Sequence, residues 1–302
     1  MIKIVTDSVA SIPKEEAKRL GLEVVTLYVN HNGQEFADAD LDLDEFYAGI
    51  NEMVDNIPTT SQPSQHVFES IFEKAAKAGD EVLGVFISSK FSGCFDGAIR
   101  AARAVQSRNI DFKCILMDST SNGYDEAWPV YDAVDKRDAG GTLEDCAAAV
   151  WSGITCTRWL FTPESLTFLR KGGRIGGAAA LLGNAIKLVP ILTVIDGAAE
   201  TFAKVRTRKK ALDRIVQKLK EDMSLHGLKR LAVHYIGDKA PALEWARETI
   251  VPLVGREVPV LPVSPVLGVH VGPAVGIAYE CNTPIEGKLT VPYDESIFAM
   301  GV

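Results

Sequence analysis

The sequence lacks the features that mark several specialised classes. It has no excess of positive charge: 32 Lys and Arg face 40 Asp and Glu, a net charge of -8. A protein that grips nucleic acid or anionic lipid along its surface needs a basic stripe, so the overall field speaks against both partners. Apolar runs break off well before the roughly 18 residues of a membrane span. The start, Met1-Ile2-Lys3-Ile4-Val5-Thr6-Asp7, has one basic residue and soon meets an acid, unlike an export signal. Cysteine is scarce and odd in number: Cys94, Cys114, Cys146, Cys156 and Cys281. None stands in a C-x-x-C spacing, which excludes a zinc knuckle and a thioredoxin-type site. Together these absences predict a soluble, reduced, cytoplasmic protein.

The common catalytic signatures are missing as well. There is no G-x-G-x-x-G after the first strand, no Walker lysine loop, no H-E-x-x-H and no G-x-S-x-G. The histidines (His31, His66, His226, His234, His270) show no metal-type spacing. The balance moves toward binding.

What is present is an ordinary globular composition, 47% apolar over 302 residues, enough for two domains of roughly 150 residues each. Strand-like runs at 2–5, 23–29, 81–87 and 114–117 alternate with helical patterns at 13–20, 43–53, 64–77 and 93–105. This rhythm predicts an α/β fold, the first domain holding a mainly parallel sheet covered by helices. A polar loop is expected over 58–64. The rhythm changes near 151–162, so the division is 1–158 and 159–302. In the second part, Asp196-Gly197 marks a hairpin between two strands.

Hydroxyls gather where strands hand over to helices. Ser88-Ser89-Lys90-Phe91-Ser92-Gly93 leads from a strand into a helix, whose N-terminus offers unpaired N–H groups to an anion. Ser92 could equally cap its own helix. Thr59-Thr60-Ser61-Gln62-Pro63-Ser64 is a second cluster, readable also as a capped loop. His270 stands in Gly268-Val269-His270-Val271-Gly272-Pro273, where glycines permit close approach, although a lone histidine is often structural. Lys171-Gly172-Gly173-Arg174 could wrap a phosphate or simply turn between helices. The run 206–210 reads as a solvated basic face that an anionic partner could use. Asp7 and Asp118 end strands on one edge, where they could cap turns, serve acid–base chemistry or hold a cation.

Taken together, these segments, with Val5-Thr6-Asp7-Ser8, Asp118-Ser119 and Leu169-Arg170-Lys171-Gly172-Gly173-Arg174-Ile175, resemble the DegV family of bacterial fatty-acid-binding proteins. The resemblance implies two α/β domains with a long-chain fatty acid, such as palmitate, in a tunnel between them. It implies a non-enzymatic lipid-binding protein with no cofactor and no metal beyond this ligand. Thr60 and Ser92 would hold the carboxylate, with Ser61 and the backbone of Gly93 and Cys94 assisting and His270 beside the head group. A separate fatty-acid kinase is the implied partner, with Arg170, Arg174 and Arg206 as partner or phosphate contacts. The alternative is a phosphotransferase-like enzyme acting on a small hydroxylated or carboxylated substrate at the same anion site. The chain departs from the family pattern at Cys94-Phe95-Asp96, at Asp125, Glu126 and Trp128-Pro129, and at Ala274. These departures bear on the tunnel's shape and hence on acyl length.

Overall fold

The computed structural model describes residues 1–182, 188–290 and 298–300. The chain begins with β1 (Ile2–Asp7), α1 (Lys14–Arg19), β2 (Leu22–Val25), β3 (Tyr28–His31), β4 (Gln34–Ala37), α2 (Leu43–Ala48) and β5 (Thr59–Ser61). Next come α3 (Gln65–Ala78), β6 (Glu81–Phe86), α4 (Cys94–Gln106), β7 (Cys114–Asp118), α5 (Tyr124–Asp138) and α6 (Leu143–Cys156). Then β8 (Thr157–Pro163), α7 (Thr167–Lys171), β9 (Val189–Ile195), β10 (Ala198–Val205), α8 (Arg208–His226) and β11 (Arg230–Ile236) follow. The remaining elements are α9 (Ala240–Trp245), α10 (Val251–Val254), β12 (Val260–Pro262), α11 (Pro265–Val271), β13 (Ala274–Glu280) and β14 (Phe298–Met300).

The first sheet runs β14-β7-β6-β1-β2, and β7, β6, β1 and β2 are parallel. Its inner strands are largely buried because helices cover both faces, which is why 82–86 reads as a continuous hydrophobic run. From β1 the chain winds outward to β2, whereas from β6 it winds to β7 on the other side. The carboxyl ends of β1 and β6 therefore part where such sheets open a crevice for ligands. The second sheet, β10-β9-β8-β13-β11-β12, is antiparallel except for the β11–β12 pair. Its β9–β10 hairpin turns at Asp196-Gly197, both at positive φ.

Two local expectations needed correction. The 23–29 run divides at residues 26–27: β2 joins the first sheet and β3 a small third sheet, β4-β3-β5. The 58–64 segment is not all loop, because β5 pairs antiparallel with β3 and sets Thr60 opposite Val29. A three-residue strand, Thr59–Ser61, set between Pro58 and Pro63 leaves too little pattern to read from the sequence.

α5 lies between the two large sheets, packed on β1, β6, β8 and β13. That position explains how its polar residues are accommodated: Asp125 is wholly buried and paired with Lys288 and the Ser121 hydroxyl. Glu126 is also wholly buried, and burial, with Asp7 and Asp118 nearby, pushes its carboxyl well above the usual range. One apolar cluster runs without a break from Phe68, Phe72 and Phe86 on the first side to Trp159, Phe161 and Phe168 on the second. No helix among the described residues is long and apolar enough to cross a membrane. All five cysteines are buried and unbonded to one another.

Candidate functional site

α11 is the element that carries His270 to β5 of the small third sheet. Pro265 opens it, a residue whose missing N–H costs nothing at a helix start. The capping group comes from far away in the sequence. Asp38 accepts from Ser264 Oγ (2.7 Å) through one oxygen and from the Val266 N–H (3.1 Å) through the other. Ser11 Oγ accepts from the Ser264 N–H at 3.0 Å, and the Tyr47 hydroxyl donates to the Val263 carbonyl at 2.6 Å. The helix is thus covalently part of the second half and held by the first.

At its other end, His270 Nε2 and Thr60 Oγ1 share a hydrogen bond of 2.8 Å. His270 Nδ1 has no partner. It packs against Gly172, where an added Cβ would lie 2.4 Å from that nitrogen. The first glycine of the 171–174 motif is therefore required by the imidazole. Burial, helped by the Arg174 guanidinium, pushes the His270 pKa down to about 4, so the ring is neutral at physiological pH.

The start of α4 faces this pair. Ser92 Oγ accepts from the Cys94 N–H at 3.2 Å, the capping role open to it from the sequence. Gly93 lets Gln62 pass close above it, since a Cβ there would fall 2.4 Å from Gln62 Oε1. Arg174 crosses between the halves, donating to the Phe91 carbonyl (3.2 Å) and the Gly172 carbonyl (2.7 Å). Together these groups form the polar part of a cavity of about 350 Å³, whose other walls include Leu27, Ile87, Trp159, Phe161, Val194 and Leu267.

Of the residues singled out in the sequence, Thr60, Ser61, Ser92, Gly93, Arg174 and His270 all line this cavity. Ser61 alternates with Thr60 along β5, and its hydroxyl bonds Asn30 and Glu35 instead. Cys94 is buried behind the wall with its thiol toward Asp7, 3.6 Å away. Arg170 and Arg206 are exposed and outside the cavity. Asp7 uses its oxygens on the N–H groups of Val9 (2.9 Å) and Ile87 (2.8 Å). Asp118 does the same with Thr120 (2.7 Å) and Ser89 (3.1 Å). Both carboxylates act as strand-end caps, and no cluster of metal-type ligands occurs among the described residues. Gln62, Asn122 and Trp159 are wall residues that sequence reasoning had not assigned to the site. Only Gln62 carried a signal, its place within the hydroxyl cluster.

A family model described as "Uncharacterised protein, DegV family" matches residues 1–282. A DegV domain-containing protein of Clostridium acetobutylicum is 38% identical over 281 residues, covering 92% of this chain and 97% of that one. Another, of Clostridium perfringens, is 37% identical over 284 residues, covering 92% and 98%. Among solved structures, a fatty-acid-binding DegV family protein from Thermus thermophilus is similar with a TM-score of 0.80 at 29% identity, over 93% of this chain and 99% of that one. A stearic acid-binding protein from Eubacterium ventriosum gives 0.83 at 26% identity, with the same coverage. This chain belongs to the DegV family.

Proposed function

We propose that the protein binds a long-chain fatty acid in this cavity, with the carboxylate at Thr60, Ser92 and His270. The observation that carries the reading is the Thr60–His270 pair beside a helix start, at one end of a largely apolar enclosure. A carboxylate withdrawn from water needs several donors, and two hydroxyls, an imidazole and the N–H groups near Gly93 supply them. A neutral imidazole can donate to the anion once Thr60 turns to it. The cavity falls within the range of about 300–1,000 Å³ usual for small-molecule sites. Burying about 15 methylenes at ~0.8 kcal/mol each gives roughly 12 kcal/mol before ordering costs. The solved relatives from Thermus thermophilus and Eubacterium ventriosum, described as fatty-acid and stearic acid binders, support the same ligand class.

Protein purified from a bacterial host without added lipid should carry close to one fatty acid per chain, read by organic extraction and mass spectrometry. Extracts free of acyl species, with no binding of added palmitate or oleate, would overturn the reading. Ser92→Ala and Thr60→Ala should each weaken binding by roughly 1–3 kcal/mol while leaving the fold intact, since each removes one donor to a buried anion.

We further propose a cytoplasmic protein of two units, 1–158 and 159–302, apart from β14, which joins the first sheet. Its role would be to present the bound acid to a separate kinase. Arg170 and Arg206, exposed and free of the wall, suit such a docking role; Arg174 suits the ligand. Arg206→Glu should then reduce capture of a kinase from lysate without changing lipid content. The phosphotransferase alternative is disfavoured because Asp7 and Asp118 already bind backbone N–H groups.

A further inference from the structure

The cavity wall contains a polar group that a plain fatty acid leaves unsatisfied. Asn122 is 3% exposed and lines the cavity among Leu267, Ile87, Phe161 and Trp159. Its amide oxygen is buried with no hydrogen-bond partner. The backbone on both sides is pinned: the Ser88 N–H donates to the Ser121 carbonyl at 2.9 Å, and the Gly123 N–H donates to the Val9 carbonyl at 3.1 Å. Gly123, at φ 59, fixes the turn into α5. Trp159, on the same wall and also 3% exposed, has an indole N–H with no acceptor. Asn122 stands two residues before α5, which packs on β8, the strand that bears Trp159.

An enclosed amide without a partner is costly, and the apolar neighbours cannot relieve it. A methylene chain would seal the cost in. A hydroxyl both donates and accepts, so it satisfies an amide whichever way the oxygen and nitrogen are placed, and it also offers the indole N–H an acceptor. Building on the fatty-acid reading above, we infer that the preferred ligand is a hydroxylated long-chain acid, its hydroxyl bound at Asn122 beyond the carboxylate site. Sites built to bond a hydroxyl discriminate against the analogue lacking it, because the protein group is then left unpaired.

The test is competition between stearic acid and a positional series of monohydroxystearic acids, for the wild-type protein, Asn122→Leu and Asn122→Ala. One positional isomer should outcompete stearic acid about fivefold or more on the wild type. Both variants should lose that preference. Should a variant fail to fold, the wild-type series still decides. Equal binding of stearic acid and every isomer, as expected if water fills the site, overturns the inference alone. So does a preference that survives in Asn122→Leu. Failure of every acid to bind would instead remove the fatty-acid reading on which it rests.

Discussion

His270 is held in a neutral state by its burial, with the neighbouring Arg174 guanidinium adding to the effect. With Nε2 on Thr60 and Nδ1 against Gly172, the ring has one position, and Gly172 has room for no side chain. Gly172→Ala should leave the backbone unstrained, because that residue has ordinary right-handed angles. It should push the imidazole out of line and weaken fatty-acid binding by about 1–2 kcal/mol, with a melting temperature nearly unchanged. Calorimetry on the variant checks this. An anion bound beside His270 favours the imidazolium, so the ring's pKa should rise from about 4 on binding. Binding between about pH 5 and 6 should then take up protons, measured as a buffer-dependent heat, and His270→Ala should abolish the uptake. At this scale the hydroxyls and the histidine were legible, because Ser and Thr before a helix invite an anion. The partners Gly172 and Asn122 were not, since their significance lies in a close approach made only by the folded chain.

Short elements depend on distant capping groups. α11 has seven residues, all buried, so neither its length nor an amphipathic pattern announces it. What fixes it is Asp38, supplying from the first half the acceptor that a helix start normally finds next to it. Asp38→Ala should cost about 1–3 kcal/mol of stability by stranding the Ser264 hydroxyl and the Val266 N–H. It should also loosen fatty-acid binding by releasing the helix that carries His270. Urea unfolding and ligand titration separate the two effects; unchanged affinity would mean that Tyr47 and Ser11 suffice to seat the helix. The strongly patterned elements β1, β6, α3 and α4 were readable from their periodicity and punctuation. β5 and α11 were not, because each exists through a partner remote in sequence.

Across the whole molecule, buried titratable groups pull stability in opposite directions with pH. Burial pushes Asp7 up to about 7 and Asp38 up to about 6. Their contribution is full below about pH 4 and is lost as pH rises through those values. His234 and His270, pushed down to about 4, contribute fully above about pH 6.5, and that share is lost as pH falls toward 4. Asp7→Asn removes one of the acids. It sacrifices a hydrogen bond at every pH, yet its stability relative to the wild type should improve as pH rises from about 4 to 7. Denaturant titrations over that window read the slope, and a difference independent of pH would show that Asp7 does not titrate there. The parallel sheet covered by helices was itself visible in the β-to-α rhythm of the first half. The polar interior of α5 was visible only as a departure, since its explanation, a place between two sheets facing Lys288, is a property of the assembled molecule.

The burial of Cys94 offers a way to time the molecule's opening. Its thiol lies beneath the start of α4, against Asp7, and both the burial and that neighbour hold it far above its ordinary ionisation range. An alkylating reagent can reach it only during the moments when the helix start lifts from the sheet. The rate of its modification is thus a native chronometer for excursions of the very segment that frames the carboxylate, and a ligand that clamps that segment should slow the clock.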